Sequence, residues 1–484
     1  MSYEKFAKDV GVVGFSQILI SLSAFILLPI LTKILGPYEY GLWVQLTVTI
    51  ALVYSLIDFG LPFSMNRFLA AEKKLDEIRE GFYSILFVVF ISSIIAGIIL
   101  YAFSDMISRL LFDHNISAVQ LIAIIIPAWS VNMVYCNYFR TFREMKKYAI
   151  IITVEQYLEV LFIVLLLFLG YDFVGVAVSF LIIRGSVSIF LFFYVRSKIG
   201  FSFPHFSQLK KFLHFGLPTV PGNLSLWIIA SSNRYIITIL LGTIFVGYYS
   251  PGYTIGVIPS MIISFVSFVL PPTVSKLYDE NELEELKNHL SYSLKYFLLI
   301  AIPFVFGSFF LSKSILTILT TSEIASEGFL VMPLVALSCI PFGVYAVVMN
   351  IFVLVKKTRI LGILWIFAAI LNIILNIVFI LYIGIIGAAL ATLIAYIVVT
   401  IATVYFSVKE FTFLVDWRFI GKSVFAALVM SFFIFVLQPR ELLSVICSIM
   451  LGVVIYFSVI FLLKGLTKGE IDFMKNIVKR SFGK

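Results

Sequence analysis

Arg234 lies deep in an apolar stretch, with polar residues spaced along the same helix face. The run Phe215 to Ser250, FGLPTVPGNLSLWIIASSNRYIITILLGTIFVGYYS, opens with Pro218 and Pro221, neither of which has a backbone N–H for a helix. It then stays apolar for about twenty residues, enough to cross a bilayer at about 1.5 Å per residue. Asn223, Trp227, Ala230 and Arg234 follow a 4-3-4 spacing and share one face. A cation and an amide on one face of a lipid-length helix are costly, so this face is expected to look into a polar cavity. The chemistry suited to it is recognition of a diphosphate. A guanidinium stays protonated and offers a planar fork of donors for bidentate, charge-assisted bonds. Asn233, beside Arg234, adds an amide to the same candidate site.

Two more arginines belong with it. Arg184 sits about ten residues into another apolar segment, near mid-depth, and Arg67 follows the inner end of a third. The intramembrane acids are Asp58, Glu155 and Glu159. Glu155 and Glu159 are four apart and share a face, where two carboxylates away from water can hold a proton or a small cation. Each has a structural alternative: Arg184 could neutralise Glu155 or Glu159, and Asp58, near Gly60 and Pro62, could cap a broken helix end. Asn350, Asn372 and Asn376 read as hydrogen-bonding glue between helices, with Asn372 and Asn376 on one face. Tyr248, Tyr249 and Tyr253 fit either sugar stacking or an interfacial aromatic belt.

The elements that must position these residues follow from composition. With 61% hydrophobic and 13% charged residues and a mean hydropathy of +1.09, the chain is a polytopic helical membrane protein. A soluble domain carries roughly twice that charge fraction. Fourteen apolar segments are expected, at 10–31, 42–64, 81–103, 118–139, 149–169, 174–194, 214–241, 245–273, 291–311, 328–353, 360–382, 384–407, 418–437 and 442–463. The first is too long and polar-flanked for a cleavable signal and is taken as a helix. With the N-terminus inside, 29 of the 35 Lys and Arg fall on inner segments. Only Lys33, Arg109, Lys313 and Arg440 fall on outer ones, and Arg184 and Arg234 lie within spans. That asymmetry places both termini in the cytoplasm, and a plasma or inner membrane location is expected.

The two halves repeat. Leu35-Gly36 to Gly41 and Leu241-Gly242 to Gly247 carry glycine pairs five apart. Each precedes a helix expected to end at Leu61-Pro62 or Leu270-Pro271, with Arg67 or Lys276 five residues beyond the proline. Segments 1–6 and 7–12 are therefore expected as two parallel six-helix lobes, residues 1–213 and 214–410. Segments 13 and 14 follow at 411–464, then a cytoplasmic basic tail at 465–484.

Other chemistries find no support. Gly421-Lys422-Ser423 resembles the end of a phosphate-binding loop, but Asp416 stands where its first glycine belongs, so no nucleotide is expected. His114, His205, His214 and His289 are scattered, and Cys136, Cys339 and Cys447 lack ligand spacing, so neither metal nor cofactor is expected. Asn115-Ile-Ser117 is a glycosylation triplet in an outer loop. The net charge of +9 is explained by the inner loops, without nucleic acid.

Three stretches carry a resemblance: GFSQILISLSAFILLPILTKILGPYEYGLWVQ, LIDFGLPFSMNRFLA, and FGLPTVPGNLSLWIIASSNRYIITILLG with VGYYSPGYTIG. They resemble the polysaccharide-biosynthesis (Wzx-type) flippases of the multidrug/oligosaccharidyl-lipid/polysaccharide (MOP) exporter superfamily. The resemblance implies a V-shaped, MATE-like transporter that turns lipid-linked oligosaccharides of the polyprenyl-diphosphate type from the cytoplasmic to the outer leaflet. Such a protein is no enzyme. It would draw on an H+ or Na+ gradient, with Glu159, Glu155 and Asp58 as candidates for coupling, and is expected to be a monomer. Arg234, Arg184, Arg67, Asn223 and Asn233 are the candidate substrate contacts. The family usually has an acid before the helix 7 cation, and Asn233 in its place speaks against cation binding there. A multidrug or organic-cation antiporter of the same superfamily is the alternative. A membrane glycosyltransferase or polymerase would need larger outer loops than these.

Overall fold

A computed structural model describes residues 3–466 of the chain. Most of the expected basic tail, from residue 467, lies outside the described residues. Within them the chain is all-helical. The first nine helices are α1 (Tyr3–Ile57), α2 (Leu61–Phe68), α3 (Leu75–Ala102), α4 (Ser104–Leu111), α5 (Ile116–Thr141), α6 (Met145–Phe168), α7 (Phe173–Ile199), α8 (Leu209–Gly216) and α9 (Val220–Leu241). Then come α10 (Thr243–Gly256), α11 (Ile258–Asp279), α12 (Leu283–Leu319), α13 (Ser322–Gly328), α14 (Val331–Leu354), α15 (Thr358–Ile383), α16 (Ile385–Val408), α17 (Trp417–Leu437) and α18 (Leu442–Leu462).

Twelve helical stretches are long and apolar enough to cross a membrane. One of them, Gly11–Ile57, has 47 residues, about 70 Å of helix, more than twice a hydrocarbon core of about 30 Å. It is two segments joined at Gly36, whose φ of 73° and ψ of 180° interrupt the helix. The repeat partner Gly242 has φ 104° and ψ 162°, the same region, open to glycine and strained for any side chain. The eighth segment is the pair α10 and α11, broken at Val257. These two adjustments turn twelve stretches into the expected fourteen segments.

The repeat differs from its sequence outline at the prolines. Segment 2 stops at Ile57, turns through Asp58 to Gly60, and restarts as α2 with Pro62 in its first turn. Segment 8 runs straight through Pro271 and Pro272 and breaks earlier, with Pro259 in the first turn of α11. In both halves the proline sits where its missing N–H costs nothing, so it opens a helix rather than closing one. Pro218 and Pro221 act alike, Pro218 in the first turn of the 3-10 helix Leu217–Thr219 and Pro221 in the first turn of α9.

Contacts divide the chain into two compact units, residues up to 250 with 380–384, and the remainder. In the first, α5 packs against α3 and α7, and α1 against α6. Leu61, Phe82, Tyr135, Phe139, Leu191 and Phe212 form one of its cores. In the second, α14 packs against α16 and α12, while α17 lies against α12 and α18. Leu290, Phe297, Met430, Ile434 and Tyr456 are buried there. Phe168, Ile189 and Phe432 are more than half exposed, as expected of a surface that meets acyl chains. Within the first unit the two glycine motifs touch. A Cβ on Gly41 would overlap the carbonyl oxygen of Thr243, and one on Gly247 that of Pro37.

Candidate functional site

Three adjacent helices of the first unit build a charged knot. Arg184 on α7 reaches two acids of α6, with Nη1 3.0 Å from Glu155 Oε2 and Nη2 3.2 Å from Glu159 Oε2. The four-residue spacing of the acids puts both on the face toward α7, as the sequence pattern requires. Asn132 on α5 completes it: its Nδ2 donates to Glu155 Oε1 at 2.7 Å, and Arg184 Nη1 donates to its Oδ1 at 3.4 Å. The guanidinium lies over two rings, its carbon 4.5 Å from the centroid of Trp129 and 5.2 Å from that of Phe180. These rings stack on each other, and Trp43 meets Phe180 edge-on. Glu155, Glu159 and Arg184 are all buried. One cation faces two carboxylates, so the knot carries one excess negative charge when both acids are ionised.

Of the alternatives weighed for Arg184, the ion pair with α6 is therefore the one observed. Asn132 was not singled out from sequence, although an amide within an apolar segment, five residues after Pro127, was a visible signal. Trp129 and Phe180 were invisible, because aromatics among apolar neighbours have no contrast.

Arg234 sits on α9 in a different setting. Its Nη1 donates to the Ala230 carbonyl at 3.0 Å and to Asn233 Oδ1 at 3.4 Å, and its guanidinium carbon is 5.9 Å from the Tyr249 ring centroid. Asn233, fully buried, donates from Nδ2 to the Tyr249 hydroxyl at 2.7 Å. The amide thus bridges cation and phenol, and Tyr249 belongs to this cluster rather than to an exposed aromatic belt. Asn223 and Trp227 on the same face are half-buried. The Trp227 ring packs on Tyr235, whose hydroxyl meets Thr49 Oγ1 at 2.7 Å.

Asp58 accepts from the Gly60 N–H at 2.9 Å, holding the turn before α2. Arg67 is exposed in the last turn of α2. Beside it lies a polar group the sequence reading missed. Thr141 Oγ1 donates to Asn66 Oδ1 at 2.6 Å, and Asn137 Nδ2 to the Pro62 carbonyl at 3.1 Å. Asn115 caps α5 by accepting from the Ala118 N–H at 3.0 Å, a structural use for the glycosylation triplet. Among the described residues no group of three or more His, Cys, Asp or Glu could hold a metal.

The second unit carries amides and rings. Asn376 Nδ2 donates to the carbonyl and the Oδ1 of Asn372, at 2.8 and 3.0 Å, and Asn350 Nδ2 bonds back to its own helix. Trp365 Nε1 on α15 donates to the Tyr345 hydroxyl on α14 at 2.6 Å, and Phe342 stacks on Tyr396 of α16. Farther along, α12, α17 and α18 enclose an apolar cavity of about 240 Å³, lined by Pro303, Gly307, Leu311, Met430, Gly452 and Phe457 among others.

Comparison with known proteins fits this architecture. The family described as polysaccharide biosynthesis protein matches residues 6–278, and the MatE family matches 218–378. A Haloferax volcanii protein named "Probable low-salt glycan biosynthesis flippase Agl15" is 23% identical over 272 residues, 55% of this chain and 57% of that one. The chain thus spans little more than half the length of that relative. An uncharacterised membrane protein of Methanocaldococcus jannaschii is 24% identical over 392 residues, covering 77% of this chain and 90% of its own. Among solved structures, the lipid II flippase MurJ in an inward closed conformation aligns with a TM-score of 0.75 at 20% identity, covering 94% of this chain and 98% of that one. An inward-facing multidrug resistance MATE transporter of the MOP superfamily gives 0.62 at 18%, covering 81% and 94%. The chain shares its fold with these transporters, and with more than half of its residues matched it belongs to the polysaccharide biosynthesis protein family.

Proposed function

We propose that this protein is a flippase for a lipid-linked oligosaccharide of the polyprenyl-diphosphate type, moving it from the cytoplasmic to the outer leaflet by alternating access. The observation that carries the reading is the apolar cavity among α12, α17 and α18. It offers a seat for a hydrocarbon chain and is built partly from the two C-terminal helices. The MATE transporter reported above covers 81% of this chain, whereas the MurJ flippase covers 94%. Arg234 is the leading contact for the diphosphate, because Arg184 is already committed to two carboxylates. The excess negative charge of the Arg184 knot is the candidate seat of a coupling H+ or Na+, with Glu159 and Glu155 as its ligands. Asp58 is the weaker candidate, being bonded to the backbone of the turn before α2. Cytoplasmic termini, a plasma or inner membrane location, lobes at 1–213 and 214–410 and a monomeric state belong to the same reading.

Reconstituted vesicles test it. Translocation of a glycan-diphosphate lipid should exceed that of empty vesicles, fall to background in Arg234→Ala and be partly kept in Arg234→Lys, where charge survives without the fork. No acceleration with any native glycan lipid would refute it. The MatE match and the acidic excess favour a second reading, an organic-cation antiporter. It would be supported by binding of a hydrophobic cation that Glu159→Gln abolishes.

A further inference from the structure

Few cations are expected on the outer side of this protein, and two of them share a cavity. Lys313, in the last turns of α12, and Arg440, after α17, are far apart in sequence yet line one cavity of about 500 Å³. The other two outer cations are elsewhere: Arg109 pairs with Asp105 at 2.8 Å, and Lys33 belongs to α1. Ser314 and Gln438 line the same cavity, adding a hydroxyl and an amide to the two charges. Gln438 adopts a left-handed conformation, φ 42°, where α17 ends, and stands exposed. Among the described residues Lys313 lies over the Phe329 ring at 5.7 Å, and no carboxylate pairs with either cation. The neighbouring acid, Glu441, opens the capping box of α18, its N–H donating to Ser444 Oγ at 3.0 Å.

The place matters as much as the charge. Ile434 lines both this cavity and the apolar one among α12, α17 and α18. On α12, Leu311 and Ile315 face the apolar side while Lys313 and Ser314 face the polar one. Phe310 and Phe435 meet edge-on at 5.9 Å at the polar mouth. A charged head site therefore adjoins an apolar stem site within one unit, the outline of an amphiphile with an anionic head. A free anion would have no use for the stem.

We infer that Lys313 and Arg440 hold the diphosphate of the lipid substrate at the outer leaflet, a second head site separate from Arg234. The inference rests on the proposed function and orientation. Two cations lining one cavity suit a group with several anionic oxygens, and the arginine supplies bidentate geometry. The site would receive the head after crossing and hold it while the chain leaves.

The test is site-specific capture. The full chain, with Phe310 replaced by a photoreactive benzoylphenylalanine, is placed in neutral-lipid nanodiscs and irradiated with labelled polyprenyl diphosphate. Capture is expected, competed by unlabelled polyprenyl diphosphate and not by polyprenol. The double variant Lys313→Gln/Arg440→Gln should lower capture about tenfold, the loss of a charge-assisted contact. Lys313→Arg should keep it, and Arg234→Ala should leave capture at Phe310 in place. Both altered side chains are exposed, and a monodisperse profile of the double variant confirms folding. Undiminished capture in the double variant would overturn the site, as would equal displacement by phosphatidylglycerol or by inorganic diphosphate. Vesicle translocation reports separately. Capture without translocation removes the flippase reading and leaves the site, whereas translocation without capture removes the site alone.

Discussion

The helix triads α5–α7 and α14–α16 hold corresponding places in the two repeats and are filled in opposite ways. Each begins with a helix containing an internal proline, Pro127 in α5 and Pro341 in α14. The first triad is held by Arg184, Glu155, Glu159 and Asn132, with Trp129 and Phe180 against the guanidinium. In the second, neutral rings do much of the joining, Tyr345, Trp365, Phe342 and Tyr396, with an indole-to-phenol hydrogen bond between Trp365 and Tyr345. Ring stacking needs no charge balance and tolerates lipid well. An ion cluster is costly to bury and is strongly disrupted by loss of one partner. The difference teaches that, of the two triads, the first is the one joined by buried charges, and we propose that any ion dependence belongs there.

The largest break in that contrast is expected from Arg184→Ala. It strands two buried carboxylates at a cost of about 3–5 kcal/mol, so the yield of folded protein should collapse in fluorescence-detected size exclusion. Adding Glu155→Gln and Glu159→Gln should restore it. Failure of that rescue would mean that Arg184 holds more than these two acids. Next comes Tyr345→Phe, which leaves the Trp365 N–H buried without its acceptor. It should cost about 1–3 kcal/mol in thermal stability while leaving the ion dependence of transport unchanged. A shifted ion dependence would show that the second triad takes part in coupling. The smallest stability effect is expected from Glu159→Gln, about 1 kcal/mol or less, because Glu155 still neutralises Arg184 and the amide keeps an acceptor. Its signature should be functional: transport that no longer responds to a proton or sodium gradient. An unchanged gradient response would remove Glu159 from coupling.

Much of this was legible beforehand. Fourteen segments followed from hydropathy and charge asymmetry, whereas the pairing of Arg184 with Glu155 or Glu159 stood only as the alternative to a substrate contact. Contrast decided what could be read. A charge in an apolar run announces itself, whereas Trp365 or Phe180 in the same run does not. The break at Val257 was missed because Pro251, Gly252, Gly256 and Pro259 dilute the apolar run without ending it. Pro271 looked like a terminus and is an interior residue of α11. The eight-residue α4 escaped because a window sized for a bilayer cannot register two turns. The tertiary partners, Asn132 for Glu155 and Tyr249 for Asn233, were beyond periodicity, since no local pattern says which helices become neighbours.

The contact between Gly41 and the turn at Thr243 bears on how the chain is made. The backbone around Pro37 and Gly41 finds its partner only when residues 243–247 have been synthesised, about two fifths of the chain later. At roughly 5–20 residues per second the first hairpin waits on the order of ten to forty seconds with its glycine face uncovered. Biogenesis of this protein is therefore not a march of independently completed hairpins. A ribosome stalled before residue 243 would leave an unfinished surface in the membrane, a natural mark for quality-control proteolysis.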